Sequence, residues 1–350
     1  MPGRSLAQRR RLLVAGVALL IGGILCSPSA FGATPVIATV LEVPYGNGSG
    51  EVGALSAGEL DLSSPPMCPA MFQMTQDGAI WVLDTVNARV LEFRNGQQVT
   101  SIDVSDFTKG PDYFGVTAAA VFVFKQAQRD DMPAGLVLRF DRLTSAAETL
   151  SLDLPDGRRF LPLGVIPLGT SDTQLIVHGS TWPDPHGATV AIGQDGKTVW
   201  VHENKTGMPG ADGAVWLLKR DGKETDSQLP VFIEKYDMVT EEWRSVASAI
   251  LPKRPELAAQ RTQALLLPLG VDASGVAALV LFEGSPLSPR VLRISTATGA
   301  VQALALEDLG WDSAPLTRFF ASEHYQLLPD GSILAQYATP ERYSIIRLTF

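Results

Sequence analysis

The side chains best suited to chemistry cluster in two short stretches. Asp84, Asn87 and Arg89 place a carboxylate, an amide and a guanidinium within six residues, a set able to orient a polar ligand or to fasten a turn. Trp182-Pro183-Asp184-Pro185-His186 is a loop stiffened by two prolines. It presents an aromatic ring, a carboxylate and an imidazole, and suits a ligand contact or a rigid exposed connection. Outside these stretches the chemistry is dispersed. Glu51, Asp112, Glu283 and Glu323 are carboxylates of the type that holds a hard divalent cation such as Ca2+, but no spacing singles out a set. His178, His186, His202 and His324 are too scattered for a zinc-binding pair or a haem attachment. Met67, Cys68 and Met71 bring three sulfurs within five residues, which fits a soft copper ion or ordinary core packing. No G-x-S-x-G, P-loop or dinucleotide fingerprint stands in its strand and helix context. The residues name no cofactor, a divalent cation being the one candidate, and leave catalysis open.

The elements that must position these groups read as β throughout. From Phe72 to Val104, Asp77-Gly78 supplies a turn tolerant of positive φ, Ile80 to Leu83 is a compact apolar strand, and Arg89 to Phe93 alternates. Asn95-Gly96 then marks a hairpin before Val99 to Val104. Four short strands in about 40 residues make one antiparallel sheet, the size of a propeller blade. The layout returns at Tyr325 to Phe350, where Asp330-Gly331 aligns with Asp77-Gly78 but only three strands follow. A strand without a partner, Pro35 to Val43, precedes every blade. In a ring it would supply the missing fourth strand of the last blade and remove an open edge.

Four degenerate copies lie between, over Tyr113 to Leu154, Leu161 to His202, Val215 to Leu251 and Ala264 to Leu306. The expected fold is therefore an all-β, six-bladed β-propeller over residues 34–350, with about 53 residues per blade against a typical ~40 to 50. Seven blades would also fit that length. Pro255 to Leu267 reads as a short helix in a connection.

The first 33 residues read as a separate element. Arg9, Arg10 and Arg11 precede an uncharged apolar run, Leu12 to Cys26, and then the small residues Ala30, Gly32 and Ala33. That order is a secretory signal peptide, and a retained N-terminal anchor would have to borrow less apolar flanks to span a bilayer. The arginines with Leu12 and Leu13 also suit a twin-arginine signal. Cleavage after Ala33 leaves 24 basic against 37 acidic residues, a net charge near −13. Such a surface repels nucleic acid and anionic lipid. A secreted or periplasmic protein follows, without membrane insertion after cleavage. Only Cys68 would remain, so no internal disulfide forms and stability must come from the core.

The run DGAIWVLDTVNARVLEF, Asp77 to Phe93, resembles an NHL repeat through Asp77, Gly78, Trp81, Val82, Asp84, Thr85, Asn87, Arg89 and Val90. The last copy keeps only Asp330, Gly331 and Arg342 of that pattern. The resemblance implies membership of the six-bladed propeller superfamily. It also implies that Asp84, Asn87 and Arg89 tie strands and turn together, against their alternative use as channel-facing ligands. Two functions follow as expectations: a binding module for a protein, peptide or small molecule, and alternatively a metal-dependent hydrolase or lactonase acting in the central channel.

Overall fold

In a computed structural model the chain is described over residues 35–54, 69, 71–105, 113–124, 136–152, 154, 156–166, 174–182, 187–203, 207–221, 225, 227–237, 240, 242–254, 265–283, 288–306, 325–338 and 341–350. Every regular element among them is a strand, and the strands form six four-stranded antiparallel sheets. The fold is the six-bladed β-propeller; seven blades are excluded. The expected signal peptide, residues 1–33, lies outside the described residues, as do Met67 and Cys68. Of the expected helix at Pro255 to Leu267, Leu265 to Leu267 open a strand and the rest is not described.

β1 (Val36–Pro44) comes first in the chain. Blade 1 is β2 (Met71–Met74), β3 (Ile80–Asp84), β4 (Arg89–Arg94) and β5 (Gln97–Asp103). Blade 2 is β6 (Tyr113–Val116), β7 (Ala120–Phe124), β8 (Leu136–Asp141) and β9 (Ala147–Ser151). Blade 3 is β10 (Arg159–Ile166), β11 (Gln174–Trp182), β12 (Gly187–Gly193) and β13 (Thr198–Glu203). Blade 4 is β14 (Met208–Pro209), β15 (Val215–Arg220), β16 (Gln228–Asp237) and β17 (Glu242–Pro252). Blade 5 is β18 (Leu265–Val271), β19 (Val276–Glu283), β20 (Ser288–Ser295) and β21 (Val301–Ala305). Blade 6 is β22 (Tyr325–Leu327), β23 (Ile333–Ala338) and β24 (Arg342–Thr349), completed on its outer side by β1.

Burial follows position in the blade. The second strands β3, β7 and β19 are buried at every residue, because neighbouring blades cover both of their faces, and their sequences are correspondingly continuous apolar runs. The outermost strands meet solvent on one face, so β5 alternates between exposed and half-buried residues. Between strands, Gly78 and Gly331 take φ of +81° in equivalent Asp-Gly turns, a conformation that a side chain would strain. Their aspartates cap the turns, Asp330 Oδ1 accepting from Ser332 N and Oγ.

The apolar core lies between blades. One cluster joins blades 1, 2 and 3 through Trp81, Leu83, Phe114, Phe122, Phe124 and Val177. Another joins blades 4 and 5. A third packs Leu41 and Val43 of β1 with Phe72, Leu91, Leu334 and Tyr343, so the closing strand is part of the blade 6 to blade 1 core. β1 pairs with β24 from Val36 opposite Thr349 to Pro44 opposite Arg342, with one irregularity between Thr39 and Leu41.

Two glutamines fasten the innermost strands to each other. Gln73 Nε2 donates to Val116 O at 2.9 Å and its Oε1 accepts from Val116 N at 2.7 Å, joining blade 1 to blade 2. Gln326, at the equivalent place in blade 6, makes the same pair with Met74 O and N at 2.9 and 2.7 Å, across the point where the ring closes. A side-chain amide has the donor and acceptor of a peptide group, so each glutamine stands in for a strand that the free inner edge lacks. Gln336 Nε2 adds a bond to Pro69 O on the same junction.

Deleting residues 35–44 removes one strand of the last sheet and two buried residues of the closing core. The expected result is a fall in Tm of at least about 10 °C with loss of a single sharp transition, read by differential scanning calorimetry, since the deletion costs several kcal/mol of packing and pairing. An unchanged Tm would contradict the closing role of β1.

Candidate functional site

Antiparallel order sends the strand connections to two opposite faces of the ring. On one face, where the first strand of each blade leads to the second and the third to the fourth, the described strands are joined by two to seven residues. On the other, connections range from three to 26 residues, with nine between β5 and β6, 11 between β7 and β8, 12 between β17 and β18, 19 between β21 and β22, and 26 between β1 and β2. Long connections on a rigid scaffold are where propellers can vary a surface without disturbing the sheets. The candidate site is this long-loop face.

The residues singled out from the sequence divide clearly there. Asp84 ends β3 and Arg89 begins β4 on the long-loop face, with Asn87 in the turn between them. Asp84 is fully buried. Its Oδ1 accepts from Gly53 N at 3.0 Å and Asn87 N at 3.3 Å. Its Oδ2 accepts from Asn87 Nδ2 at 2.8 Å and Arg89 Nε at 2.9 Å. The remaining donors reach outward to the loop after β1: Asn87 Nδ2 to Gly46 O, Arg89 Nη1 to Asn47 O, and Arg89 Nη2 to Glu51 O, at 2.9, 3.0 and 2.9 Å. The loop must lie close for this to happen, and a Cβ at Gly53 would meet Val86 Cβ at 2.5 Å. These three residues form a clasp that holds the loop leaving the closing strand against blade 1. Glu51 takes part through its backbone carbonyl, while its carboxylate accepts from Gly48 N at 2.8 Å.

Trp182 ends β11, opposite Arg159 of β10, also on the long-loop face. Asp184 and His186 lie outside the described residues, between Trp182 and Gly187, as do Asp112 and Glu323. Glu283, at the same face of blade 5, is 4% exposed. It pairs with the buried Arg290 and accepts from Arg254 N at 3.1 Å. Arg290 in turn donates to Pro252 O of blade 4, so this pair ties the start of the β17–β18 connection to blade 5. Among the described residues no three or more His, Cys, Asp or Glu side chains are close enough to share a metal ion.

His178 stands apart from the other candidates, within β11, its Nδ1 3.0 Å from Thr189 Oγ1 of β12. Burial lowers its pKa from 6.5 to about 4, because the charged ring would lose hydration without gaining a counterion. Met71 is a core residue of β2, 1% exposed.

Two features escaped the sequence reading. The glutamine clasps are signalled by matching runs, FQMTQDG at 72–78 and YQLLPDG at 325–331. An identical Leu-Pro-Leu-Gly-Val run occurs at 161–165 and 267–271. Both copies form innermost strands, and both break register between the proline and the glycine. Proline lacks an N–H, and a bulge on a strand at the sheet edge is a position where none is required.

No family model and no curated protein matches the sequence. Solved structures resemble it remotely. The PQQ-bound aldose sugar dehydrogenase of Streptomyces coelicolor aligns at 12% identity over 91% of this chain and 99% of its own, with a TM-score of 0.47. Hydrazine synthase of Kuenenia stuttgartiensis aligns at 14% over 77% and 76%, with a TM-score of 0.45. Virginiamycin B lyase of Staphylococcus aureus aligns at 13% over 81% and 94%, with a TM-score of 0.37.

The clasp predicts a structural phenotype for Arg89→Ala. With Arg89 14% and Asp84 0% exposed at the side chain, removing the cation leaves a buried carboxylate short of its charge partner. Urea unfolding should show a loss of about 3 kcal/mol. A loss below ~0.5 kcal/mol, the range of exposed pairs, would show that the clasp does not hold the loop.

Proposed function

We propose that this chain is an exported binding module, which presents its long-loop face to a protein, peptide or small-molecule ligand and performs no chemistry of its own. The observation that carries the reading is the inequality of the two faces: connections of two to seven residues on one, and of up to 26 on the other. Elongated loops gathered at one end of a rigid ring provide a variable surface over a fixed scaffold. Removal of residues 1–33 as a signal peptide would place the domain outside the cytoplasm, in the periplasm or secreted. Its net charge near −13 would keep nucleic acid and anionic membranes away. The NHL-like run from Asp77 to Arg89 serves, in this reading, as scaffold for the loop after β1.

The test uses protein beginning at Thr34 on peptide and glycan arrays, with a parallel thermal-shift series in Ca2+, Mg2+, Mn2+ and Zn2+. Array ligands should lose at least ~10-fold in signal when Trp182, Asp184 and His186 are replaced together by Ala. They should keep it when the exposed turn-face pair Asp195 and Lys197 is replaced. The divalent ions should leave Tm within about 1 °C. Binding indifferent to the loop variant would overturn the reading. So would stabilisation by a micromolar divalent ion accompanied by lactone hydrolysis, in favour of the metal-dependent enzyme.

A further inference from the structure

The peptide group between Asn47 and Gly48 is held at both of its ends by charged side chains. Its carbonyl oxygen, Asn47 O, accepts from Arg89 Nη1 at 3.0 Å. Its N–H, that of Gly48, donates to Glu51 Oε2 at 2.8 Å. The grip is built into the loop that leaves β1. Gly46 N donates to Val52 O and Val52 N to Pro44 O, at 2.8 and 3.1 Å, while Gly50 N is fixed to Gln98 Oε1 of blade 1 at 2.6 Å. Within this tight arc the Glu51 carboxylate has room because glycines surround it: a Cβ at Gly46 would collide with Oε2, and one at Gly48 would stand 3.0 Å from it. Arg89 is anchored in turn by the buried Asp84.

A cation on the oxygen and an anion on the N–H polarise an amide in the same direction, and hydrogen bonds to charged groups are the strong ones. The guanidinium stabilises negative charge developing on the oxygen, as an oxyanion donor does. The carboxylate stands within reach of the proton, as a general base must. Together they favour the deprotonated, nucleophilic form of the nitrogen. What that nitrogen would meet is set by its neighbours. It is preceded by an exposed asparagine, whose side-chain carbonyl carbon can close a succinimide ring onto it, and its own residue is a glycine, with no side chain to obstruct the approach.

We infer that Asn47 is a site of self-modification, at which the Gly48 nitrogen attacks the Asn47 side chain with Glu51 as base and Arg89 as oxyanion donor. The Gly48 proton passes to Glu51, a bond forms between Gly48 N and Asn47 Cγ, and the Cγ–Nδ2 bond breaks. The proton held by Glu51 leaves with Nδ2 as ammonia. Water then opens the succinimide, at Cγ to give aspartate or at the backbone carbonyl carbon to give isoaspartate. Isoaspartate adds a methylene to the main chain at the residue that Arg89 holds, so the product releases this arm of the clasp. The reaction consumes the protein's own side chain and needs no ligand, so it is independent of the binding reading.

Asn95-Gly96 provides an internal reference, being the same dipeptide in the exposed β4–β5 turn. The purified full chain is kept in warm neutral buffer, folded or in guanidinium chloride, and conversion at each asparagine is followed by peptide mass spectrometry that separates aspartate from isoaspartate. In the folded wild type Asn47 should convert at least ~10-fold faster than in denaturant, a modest share of what positioned proton transfer supplies. Glu51→Gln, which keeps an acceptor but not a base, should return Asn47 to its denatured rate and leave Asn95 unchanged. The Tm of the wild type should fall as product accumulates, and that of Asn47→Gln should hold. Thermal unfolding establishes that each variant is folded, and the comparison of folded with denatured wild type needs no variant. Conversion of Asn47 no faster in the folded protein than in denaturant, a rate unmoved by Glu51→Gln, or a Tm that holds as product accumulates would overturn the assignment.

Discussion

A ring of β-sheets has two kinds of exposed edge, and the architecture depends on how it deals with both. The outer edge of the last blade is completed by β1, drawn from the opposite end of the described chain and paired with β24 over its whole length. The inner edges are handled at two junctions by glutamine side chains, Gln73 and Gln326, each of which pairs with both backbone groups of a residue on the next blade. An unpaired backbone group near the core costs as much as a lost hydrogen bond, and an open edge invites another chain. The closing strand and the Gln326 pair sit at the place where blade 6 meets blade 1, which is also where the apolar cluster containing Leu41, Phe72 and Tyr343 lies, while the Gln73 pair secures the next junction. Closure is thus secured by strand pairing, side-chain amides and packing together.

That closure explains the fate of the polar residues that first drew interest. The chain leaving β1 must cross to blade 1, and Asp84, Asn87 and Arg89 receive it there through three of its backbone carbonyls and the Gly53 amide. Side chains that look like a ligand set become anchors for a strand-to-blade connection, with the Asp84 carboxylate accepting four hydrogen bonds. Among the described residues of the long-loop face, Glu283 and Arg290 likewise serve the scaffold, tying blade 5 to the chain that leaves blade 4.

The parts of this arrangement that could be read from sequence are those with strong local rules. Asp-Gly and Asn-Gly turns fixed the hairpins, continuous apolar runs such as Ile80 to Leu83 marked the second strands, and the strand left over at residues 35–43 could be matched with the blade that lacked one. The innermost strands of blades 3, 4 and 5 were far less legible. They are short or interrupted, Met208–Pro209 in one case and the Leu-Pro-Leu-Gly-Val bulges in the others, so proline and glycine obscure the alternation that marks a strand. The clasp depends on which distant segments meet, Gly46 with Asn87 and Gly53 with Asp84, and no spacing along the chain encodes that. Repeated spelling would have helped: the aligned glutamines and the twin proline runs are visible once blades are compared position by position.

Closure of the ring at the blade 6 to blade 1 junction is tested most directly by amide hydrogen exchange at Met74 and Val116 in the wild type and in Gln326→Leu. Both amides donate to glutamine oxygens at 2.7 Å, but only the first depends on Gln326. Met74 exchange should accelerate by at least ~10-fold in the variant, as expected when one buried hydrogen bond is lost, while Val116, held by Gln73, keeps its protection. Equal protection of Met74 in both proteins would contradict the account, since the innermost strands would then close without the glutamine.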